Sequence, residues 1–252
     1  MTFQPIQESI FTQGNALKII SGLTNFSRER VARTVKAADA GGATFVDIAA
    51  DPELVKLAKG LTNFPVCVSA VEAEKFPPVV AAGADLIEIG NFDPFYDRGI
   101  RFEAEDVLRL TQQTRELLPE IPLSVTVPHI LELDRQVELA ENLVAAGADI
   151  IQTEGGPSSH PTHSGIMGLV EKATPTLAAT HAISQAVSVP VLCASGISSV
   201  TAPMAVAAGA SGVGVGSAVN RLDNEVAAIA QVRSLVDALA TVRRVVPAVV
   251  KQ

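Results

Sequence analysis

Residues 143–155 read LVAAGADIIQTEG, and three variants of this phrase occur elsewhere in the chain. In each copy an alanine-rich helix end is followed by a glycine that can cap the helix with a positive φ, and then by an apolar strand. The other copies are AADAGGATFVDI at 37–48, VVAAGADLIEIG at 79–90 and AVAAGASGVGVG at 205–216. This repeat predicts a fold assembled from one recurring helix-to-strand unit.

A second phrase alternates with the first and adds four more strands. Its copies are ALKIISG at 16–22, FPVCVSAV at 64–71, IPLSVTVPH at 121–129 and VPVLCASG at 189–196. Eight short strands separated by amphipathic helices predict a parallel sheet with right-handed crossovers. An open, doubly wound sheet would not require a two-strand unit repeated four times, and no GxGxxG follows the first strand. We therefore predict one α/β domain over residues 1–252, a single (β/α)8 TIM barrel in which residues 1–15 form an extension before strand 1.

Composition and charge exclude several classes of protein. The chain has 252 residues, of which 48% are hydrophobic and 18% charged, so it does not resemble a disordered protein, and two cysteines cannot support a disulfide scaffold. Its net charge of −8 argues against nucleic-acid binding, which needs a basic surface. No apolar stretch approaches the roughly 20 residues that cross a bilayer, and the start MTFQPIQESIF lacks the features of a signal peptide. We expect a soluble protein in a reducing compartment, with no nucleic-acid or membrane partner.

The repeats align the strands with one another and so predict which side chains point into the barrel. Large apolar residues such as Val46, Ile87 and Ile151 share one face, which suits contact with the surrounding helices. The opposite, inward set is small or polar: Asp47, Glu88, Gln152 and Gly214 on the even strands, and Lys18, Cys67, Ser124 and Leu192 on the odd ones. An unpaired charge in a barrel interior is costly, so Lys18 must pair with Asp47 or Glu88. These three residues are either a buried ion-pair network that fixes the register or part of a reaction centre with shifted pKa values.

One further acidic residue is predicted to lie closer to the C-terminal rim, where active sites of this fold are found. Glu154 follows Gln152 on the same face, and the equivalent positions on other strands are the small residues Ala49, Gly90 and Gly216. The small residues leave room for a ligand, so Glu154 is a candidate general acid or base, with Lys18, Asp47 and Glu88 assisting it. Thr126 and Gln152, which also face inward, are candidate substrate contacts.

The last two strands end in glycine-rich turns, CASGISS at 193–199 and GVGVGSAVN at 212–220. Glycines let backbone N–H groups approach an anion, and the N-terminus of a short helix adds a favourable dipole. The loops after strands 7 and 8 are the usual phosphate site of TIM barrels. The predicted phosphate-binding residues are Ser195, Gly196, Gly216 and Ser217.

Two loops at the same rim are candidate lids or binding segments. The loop at 153–168, TEGGPSSHPTHSGIMG, is long and rich in glycine and histidine, so we expect Gly155 and His160 to contact the substrate together with His129, which ends strand 5. A metal site would need more ligands at suitable spacing, and no HExxH is present, so we predict no metal.

The segment GNFDPFYDRGIRF at 90–102 concentrates the scarce aromatic residues. It is interpreted either as an apolar flap over the mouth or against a partner subunit, or as a source of substrate contacts through Asn91 and Asp93. Cys67 and Cys193 lie within apolar strands and are expected to be inert buried thiols.

The chain contains ALKIISGLTNF, GGATFVDIAADPELV, FPVCVSAVEAEKF, GADLIEIGNFDPFYDRG, VTVPHILELDRQ and DIIQTEGGPSS. Together these segments, which span nearly the whole sequence, resemble the conserved hypothetical chloroplast reading-frame family of cyanobacteria and algal plastids. The resemblance implies a TIM-barrel-like protein of phototrophs, located in a cyanobacterial cytoplasm or a plastid stroma. It carries over no catalytic residues.

Two more distant resemblances concern single segments. KIISGLTN is similar to the start of phosphoribosylanthranilate isomerase, but the cysteine base of that enzyme's motif is replaced here by the region of Ile20 and Ser21. ASGISSVTAPMAVAAGASGVGVGSAV looks like the phosphate-binding end of pyridoxal 5′-phosphate synthase, thiazole synthase and the sugar-phosphate epimerases. That resemblance implies phosphate binding only.

These observations favour an enzyme that isomerises or epimerises a small phosphorylated metabolite by proton transfer at Glu154. One alternative is a Schiff-base lyase or synthase that uses Lys18, the only lysine on a predicted strand. Another is a non-catalytic protein that binds a phosphorylated metabolite and regulates a partner in photosynthetic cells. We predict no cofactor, with FMN as a secondary alternative because related phosphate loops hold its phosphate, and we allow for a homo-oligomer.

Overall fold

The structure, a computed structural model, describes residues 10–11, 14–96, 98–155 and 160–242. Eight parallel strands pair in chain order and close into a barrel, which confirms the predicted TIM-barrel fold. The strands are β1 (Ala16–Ile20), β2 (Phe45–Ala49), β3 (Val66–Ala70), β4 (Leu86–Ile89), β5 (Leu123–Thr126), β6 (Ile150–Gln152), β7 (Val191–Ala194) and β8 (Gly212–Val215). Most of the predicted N-terminal extension, residues 1–9 and 12–13, lies outside the described residues.

Helices connect the strands and cover the outside of the barrel. They are α1 (Arg28–Gly41), α2 (Pro52–Lys59), α3 (Phe76–Ala81), α4 (Asp93–Tyr96), α5 (Ala104–Leu117), α6 (Leu133–Ala145), α7 (Gly165–Ala186), α8 (Ala202–Ala207), α9 (Ser217–Asn220) and α10 (Glu225–Ala240), and a 3₁₀ turn (Ala73–Lys75) precedes α3. Within the described ranges, no helix combines the length and apolar character needed to cross a bilayer.

The repeated phrase forms the helix ends and strand starts as predicted. Its glycines adopt positive φ, for example 85° at Gly42, whose N–H bonds carbonyls of the last turn of α1. The aspartate of the phrase links the start of its own strand to the neighbouring strand. Asp85, just before β4, accepts a hydrogen bond from the N–H of Val66 in β3 and forms an ion pair with Lys59 at 2.8 Å. In the next copy, Asp149 accepts from Leu123 N–H and pairs with Arg115. The repeat therefore encodes both the turn and the register of neighbouring strands.

The two faces of the strands pack as the sequence pattern predicts. Val46, Ile87 and Ile151 are fully buried between barrel and helices, where they belong to one apolar cluster with helical residues such as Val35 and Leu143. A smaller cluster fills the N-terminal end of the barrel, and its members are Ile10, Phe11, Ala16, Phe45, Cys67, Leu86, Ile150 and Leu192. Because side chains fill that end, space for a ligand is left at the C-terminal end.

Candidate functional site

A layer of charged residues lies in the middle of the barrel. Lys18 Nζ is 2.6 Å from Glu88 Oε2, and neither side chain is more than 1% exposed. Since β1 and β4 are not neighbours, this contact crosses the interior and confirms that both residues point inward. Glu88 also accepts hydrogen bonds from Ser124 Oγ at 2.8 Å and from Gln152 Nε2 at 2.9 Å. Of the two carboxylates predicted as partners of Lys18, Glu88 is therefore its hydrogen-bonded partner.

Asp47 completes this charged layer (Lys18, Asp47 and Glu88). Its carboxylate accepts a hydrogen bond from Ser69 Oγ, and burial raises its pKa to about 7 although the ammonium of Lys18 acts in the opposite direction. Burial alone would lower the pKa of Lys18, but the charges of Glu88 and Asp47 outweigh it and raise the pKa above its ordinary value. Lys18 is therefore a charged ammonium at neutral pH. Burial raises the pKa of Cys67 well above its usual range, in keeping with an inert thiol.

A cavity of about 330 Å³ opens above the charged layer, at the C-terminal ends of the strands. Nine of the predicted site residues line it: Asn91, Asp93, Thr126, Gln152, Glu154, Ser195, Gly196, Gly216 and Ser217. Lys18, Asp47 and Glu88 are not among its lining residues, so the prediction that they assist the reaction gains no support from the geometry. His129, Gly155 and His160, which were predicted to contact the substrate, do not line it either, and His160 is exposed.

At the acidic side of the cavity, an imidazole lies between two carboxylates. His129 Nδ1 is 2.7 Å from Glu154 Oε1 and 3.2 Å from Asp93 Oδ1. The second oxygen of Glu154 accepts a hydrogen bond from the N–H of Phe92 at 3.1 Å. Because Glu154 follows β6, His129 follows β5 and Asp93 begins α4 after β4, three adjacent loops assemble this group.

The acid–base pair (His129 and Glu154) has pKa values near neutrality. Burial raises the pKa of Glu154 to about 8, although the hydrogen bond from His129 lowers it. Burial would lower the pKa of His129, but its contacts with the carboxylates of Asp93 and Glu154 raise it to about 9. Glu154 can therefore gain and lose a proton near physiological pH, as general acid–base catalysis requires, while His129 is mainly protonated there.

The aromatic segment supports the site from behind. Phe92 is fully buried and its ring centroid lies 4.6 Å from that of Phe102, while Phe95 packs edge-on against the same ring. Tyr96 contacts His129 edge-to-face at 5.1 Å, and burial together with the charges of Glu154 and Asp93 raises its pKa. The rings form an apolar cluster, and Asn91 and Asp93 line the cavity. The flap and the substrate contacts through Asn91 and Asp93 both stay predictions.

The turns after β7 and β8 line another part of the cavity and form the predicted anion end (Ser195, Gly196, Gly216 and Ser217 with the cations Lys172 and Arg221). Ser195 and Gly196 both have positive φ, of 75° and 73°, and a Cβ on Gly196 would lie 2.7 Å from the carbonyl oxygen of Lys172. The glycine therefore lets the turn after β7 pack against α7. The helix α9 after Gly216 has a single turn of four residues, so its dipole adds little support to the predicted phosphate site, for which Lys172 and Arg221 are the nearby positive charges.

Sequence reasoning missed both cations. Arg221 follows Ser217 by four residues, and that spacing on a helical turn could have placed both on one side. Lys172 lies in α7, and only the packing of α7 against the turn after β7 brings it to the cavity.

The loop after β6 is anchored outside the cavity. The carboxylate of Glu171 contacts the imidazole of His163 and also accepts hydrogen bonds from the N–H groups of His163 and of Thr162, at 2.7 Å for Thr162. These contacts, the imidazole foremost, lower the pKa of Glu171 to about 2. Residues 156–159 of the predicted lid lie outside the described residues.

Asp93, His129 and Glu154 form the group that could hold a metal ion within the described ranges, since one ligand atom from each lies within 4.8 Å of the others. In this arrangement His129 Nδ1 faces both carboxylates, so a cation would have to replace the proton there. The predictions of no metal and no cofactor stay predictions.

Comparisons with known proteins identify a family and relatives that are similar to this chain. A family model described as "Protein of unknown function (DUF561)" matches residues 4–245. The chain is 45% identical over 218 residues to uncharacterized protein ycf23 of Cyanophora paradoxa, covering 86% of this chain and 89% of that protein. It is 39% identical over 214 residues to ycf23 of Pyropia yezoensis, covering 85% of this chain and 78% of the relative.

Two solved structures show the same fold. (S)-3-O-geranylgeranylglyceryl phosphate synthase from Thermoplasma acidophilum, in complex with its substrate sn-glycerol-1-phosphate, has a TM-score of 0.63 and 18% identity, covering 96% of this chain and all of that chain. A putative fructose-1,6-biphosphate aldolase from Coccidioides immitis has a TM-score of 0.64 and 17% identity, covering 95% and 96%. At these identities the likeness concerns the fold alone.

Proposed function

The chain belongs to the DUF561 family, which its likeness to the ycf23 proteins supports, and we propose that it is an enzyme that isomerises or epimerises a small phosphorylated metabolite. One observation carries this proposal. The acid–base pair, with Glu154 lining the cavity directly, faces an anion end that holds two cations. That juxtaposition suits a substrate bound by its phosphate while a proton is moved at its other end.

In the proposed reaction, Glu154 takes a proton from a carbon next to a carbonyl group, and the electrons of the broken C–H bond move into an enolate. In isomerisation, Glu154 returns the proton to the neighbouring carbon, while the hydroxyl proton of the carbon that was deprotonated moves to the former carbonyl oxygen. In epimerisation, a water molecule supplies a proton to the other face of the same carbon, and the hydroxide that remains takes the proton held by Glu154. Neither reaction needs an external oxidant or reductant. His129 holds Glu154 in place through the 2.7 Å hydrogen bond and stabilises its ionised form. Since the pKa of Glu154 is raised to about 8 by burial, the rate should increase as pH rises through that value.

We assign the charged layer a positioning role instead of the direct one predicted from the sequence. Gln152 donates both to Glu88 and to Thr126 Oγ1, at 2.9 and 3.0 Å, so the layer fixes two side chains that line the cavity. A Schiff base on Lys18 is disfavoured by this geometry, because Lys18 is fully buried, paired and absent from the cavity lining.

The proposal is tested by measuring the exchange of carbon-bound hydrogen of the substrate with solvent deuterium. The protein is incubated in deuterated water with a panel of aldose and ketose phosphates, and deuterium incorporation is followed by NMR. Glu154→Gln should lose about 10²–10⁴-fold in exchange rate while keeping its affinity for the phosphate. The matched control is Glu141→Gln, which changes an exposed glutamate of α6.

The outcomes separate the alternatives. Equal exchange by wild type and Glu154→Gln would refute the assigned base. Binding of phosphates without exchange by either protein would favour the non-catalytic, regulatory alternative. An adduct trapped by borohydride would favour a Schiff-base enzyme, and peptide mapping would show whether Lys18 or Lys172, the lysine that lines the cavity, carries it.

The relatives support a cyanobacterial cytoplasm or a plastid stroma as the location, because they come from Cyanophora paradoxa and Pyropia yezoensis. A homo-oligomer is part of the proposal and is tested by the mass of the purified protein in solution.

A further inference from the structure

The acidic side of the cavity presents hydrogen-bond acceptors that the described part of the protein leaves without donors. Gln152 Oε1 is buried and has no hydrogen-bond partner among the described residues, and the same is true of Asn91 Oδ1. The orientation of the Gln152 amide is fixed, because its Nε2 donates to Glu88 and to Thr126. Its Oε1 is therefore the acceptor without a donor, and the residue is only 2% exposed.

Asp93 adds a charged acceptor to this side of the cavity, and we call Gln152, Asn91 and Asp93 together the acceptor wall. Its Oδ1 makes an ion-pair contact of 3.2 Å with His129 Nδ1 but no hydrogen bond of good geometry with a described residue. His129 has one hydrogen on Nδ1, and Glu154 lies closer to it, at 2.7 Å. Because a carboxylate oxygen can accept more than one hydrogen bond, Asp93 Oδ1 can also accept one from a ligand.

A buried acceptor without a donor is costly, so the complementary ligand is one that brings donors. Hydroxyl groups meet this need. A carboxylate would bring only acceptors and a negative charge close to Asp93, and like charges in a partly buried site repel. The wall thus selects for hydroxyl groups and against acidic groups.

The anion end lies close to this wall. Ser195 Oγ, of the turn after β7, donates to Asp93 Oδ2 at 3.4 Å, so the two ends meet within one hydrogen bond. The cavity of about 330 Å³ is near the lower limit for small-molecule sites. A short ligand therefore reaches both ends.

From these contacts we propose that the substrate is a phosphorylated hydroxycarbonyl compound, whose hydroxyl groups are held by Gln152 and Asp93, and not a phosphorylated carboxylic acid. This proposal rests on the proposed function, because it assumes that the phosphate occupies the anion end. Gln152 and Asp93 are then specificity-determining residues.

Calorimetric binding with a matched pair of three-carbon probes tests this directly. The probes are glycerol 1-phosphate and 3-phosphoglycerate, with inorganic phosphate as the reference for the anion end alone. We expect glycerol 1-phosphate to bind at least 10-fold more tightly than either of the other two. Equal or tighter binding of 3-phosphoglycerate would overturn the proposal.

Two variants identify the residues responsible. Gln152→Leu should remove most of the advantage of glycerol 1-phosphate over inorganic phosphate while leaving the affinity for inorganic phosphate unchanged. Gln112→Leu, at an exposed position of α5, is the control. Because Gln152 also contacts the charged layer and its loss could prevent folding, Asp93→Asn provides a second test. It should increase the affinity for 3-phosphoglycerate about 10-fold, and no increase would contradict the repulsion argument.

The same titrations distinguish the other interpretations. Three results together would show that the acceptors bind a cation and would overturn the proposal. Mn²⁺ would bind the ligand-free protein, Asp93→Asn would abolish that binding, and the preference for hydroxyl groups would be absent. Selective binding of glycerol 1-phosphate without deuterium exchange on any tested phosphate would uphold this inference and refute the proposed enzyme. Deuterium exchange combined with a preference for 3-phosphoglycerate would uphold the proposed enzyme and refute this inference.

Discussion

Replacing Lys18 by methionine tests whether the charged layer is structural. The methionine fills nearly the same space but removes the ammonium that lies 2.6 Å from Glu88 in a fully buried setting. Glu88 is then left with the hydroxyl of Ser124 and the amide of Gln152 as donors, and its charge has no counter-ion in the layer. Asp47, whose carboxylate is also influenced by Lys18, loses the same compensation.

The expected loss follows from the burial of the pair. Removal of one partner from a buried ion pair costs about 3–5 kcal/mol, because the remaining charge is uncompensated. For a protein of this size, 1 kcal/mol corresponds to about 2–4 °C in the midpoint of thermal unfolding, so the expected shift is about 6–20 °C. The double variant Lys18→Met with Glu88→Gln should recover part of this loss, since neither charge then remains.

Urea unfolding followed by circular dichroism measures the effect. Lys36→Met, at an exposed position of α1, is the control and should change the free energy of unfolding by less than about 0.5 kcal/mol. A Lys18→Met protein as stable as the wild type but devoid of exchange activity would refute the structural assignment. It would restore Lys18 as a reactive residue.

Three further predictions concern the surroundings of the site. Gly90→Ala should destabilise the protein by about 2–4 kcal/mol in urea unfolding, because φ is 118° and the new Cβ would lie 2.5 Å from Thr126 Cβ; a neutral effect would show that the strand end is adaptable. Burial raises the pKa of Asp47 to about 7, above its value in the unfolded chain, so its contribution to stability is present below about pH 4 and is lost as pH rises towards 7. The stability of Asp47→Asn relative to wild type should therefore increase between pH 4 and pH 7 in urea unfolding. A constant difference would contradict the raised pKa. Asp93→Asn should lower the pKa of His129 from about 9 towards its ordinary value because a charged acceptor is lost, and an unchanged NMR titration of the imidazole would show that Glu154 alone sets it.

The candidate site was only partly accessible to sequence reasoning. The inward phase of the strands followed from the repeat, and so did the positions of Glu154, Gln152 and the glycine turns at the cavity. The pairing of His129 with Glu154 did not, because those residues lie on different loops and nothing in their spacing of 25 residues fixes a contact. His160, predicted as a substrate contact from its loop, is exposed and away from the cavity lining.

Local patterns in the chain were enough to predict the barrel and the direction of its side chains, because helix and strand periods and the repeated turn are local properties. Tertiary structure alone decided which of Asp47 and Glu88 pairs with Lys18, and that Lys172 joins the cavity. It also showed that the charged layer stays below the cavity. The physical reason is that these contacts cross the barrel or join separate loops, so they depend on strand stagger and helix packing in three dimensions. Such distances are not encoded in any single segment.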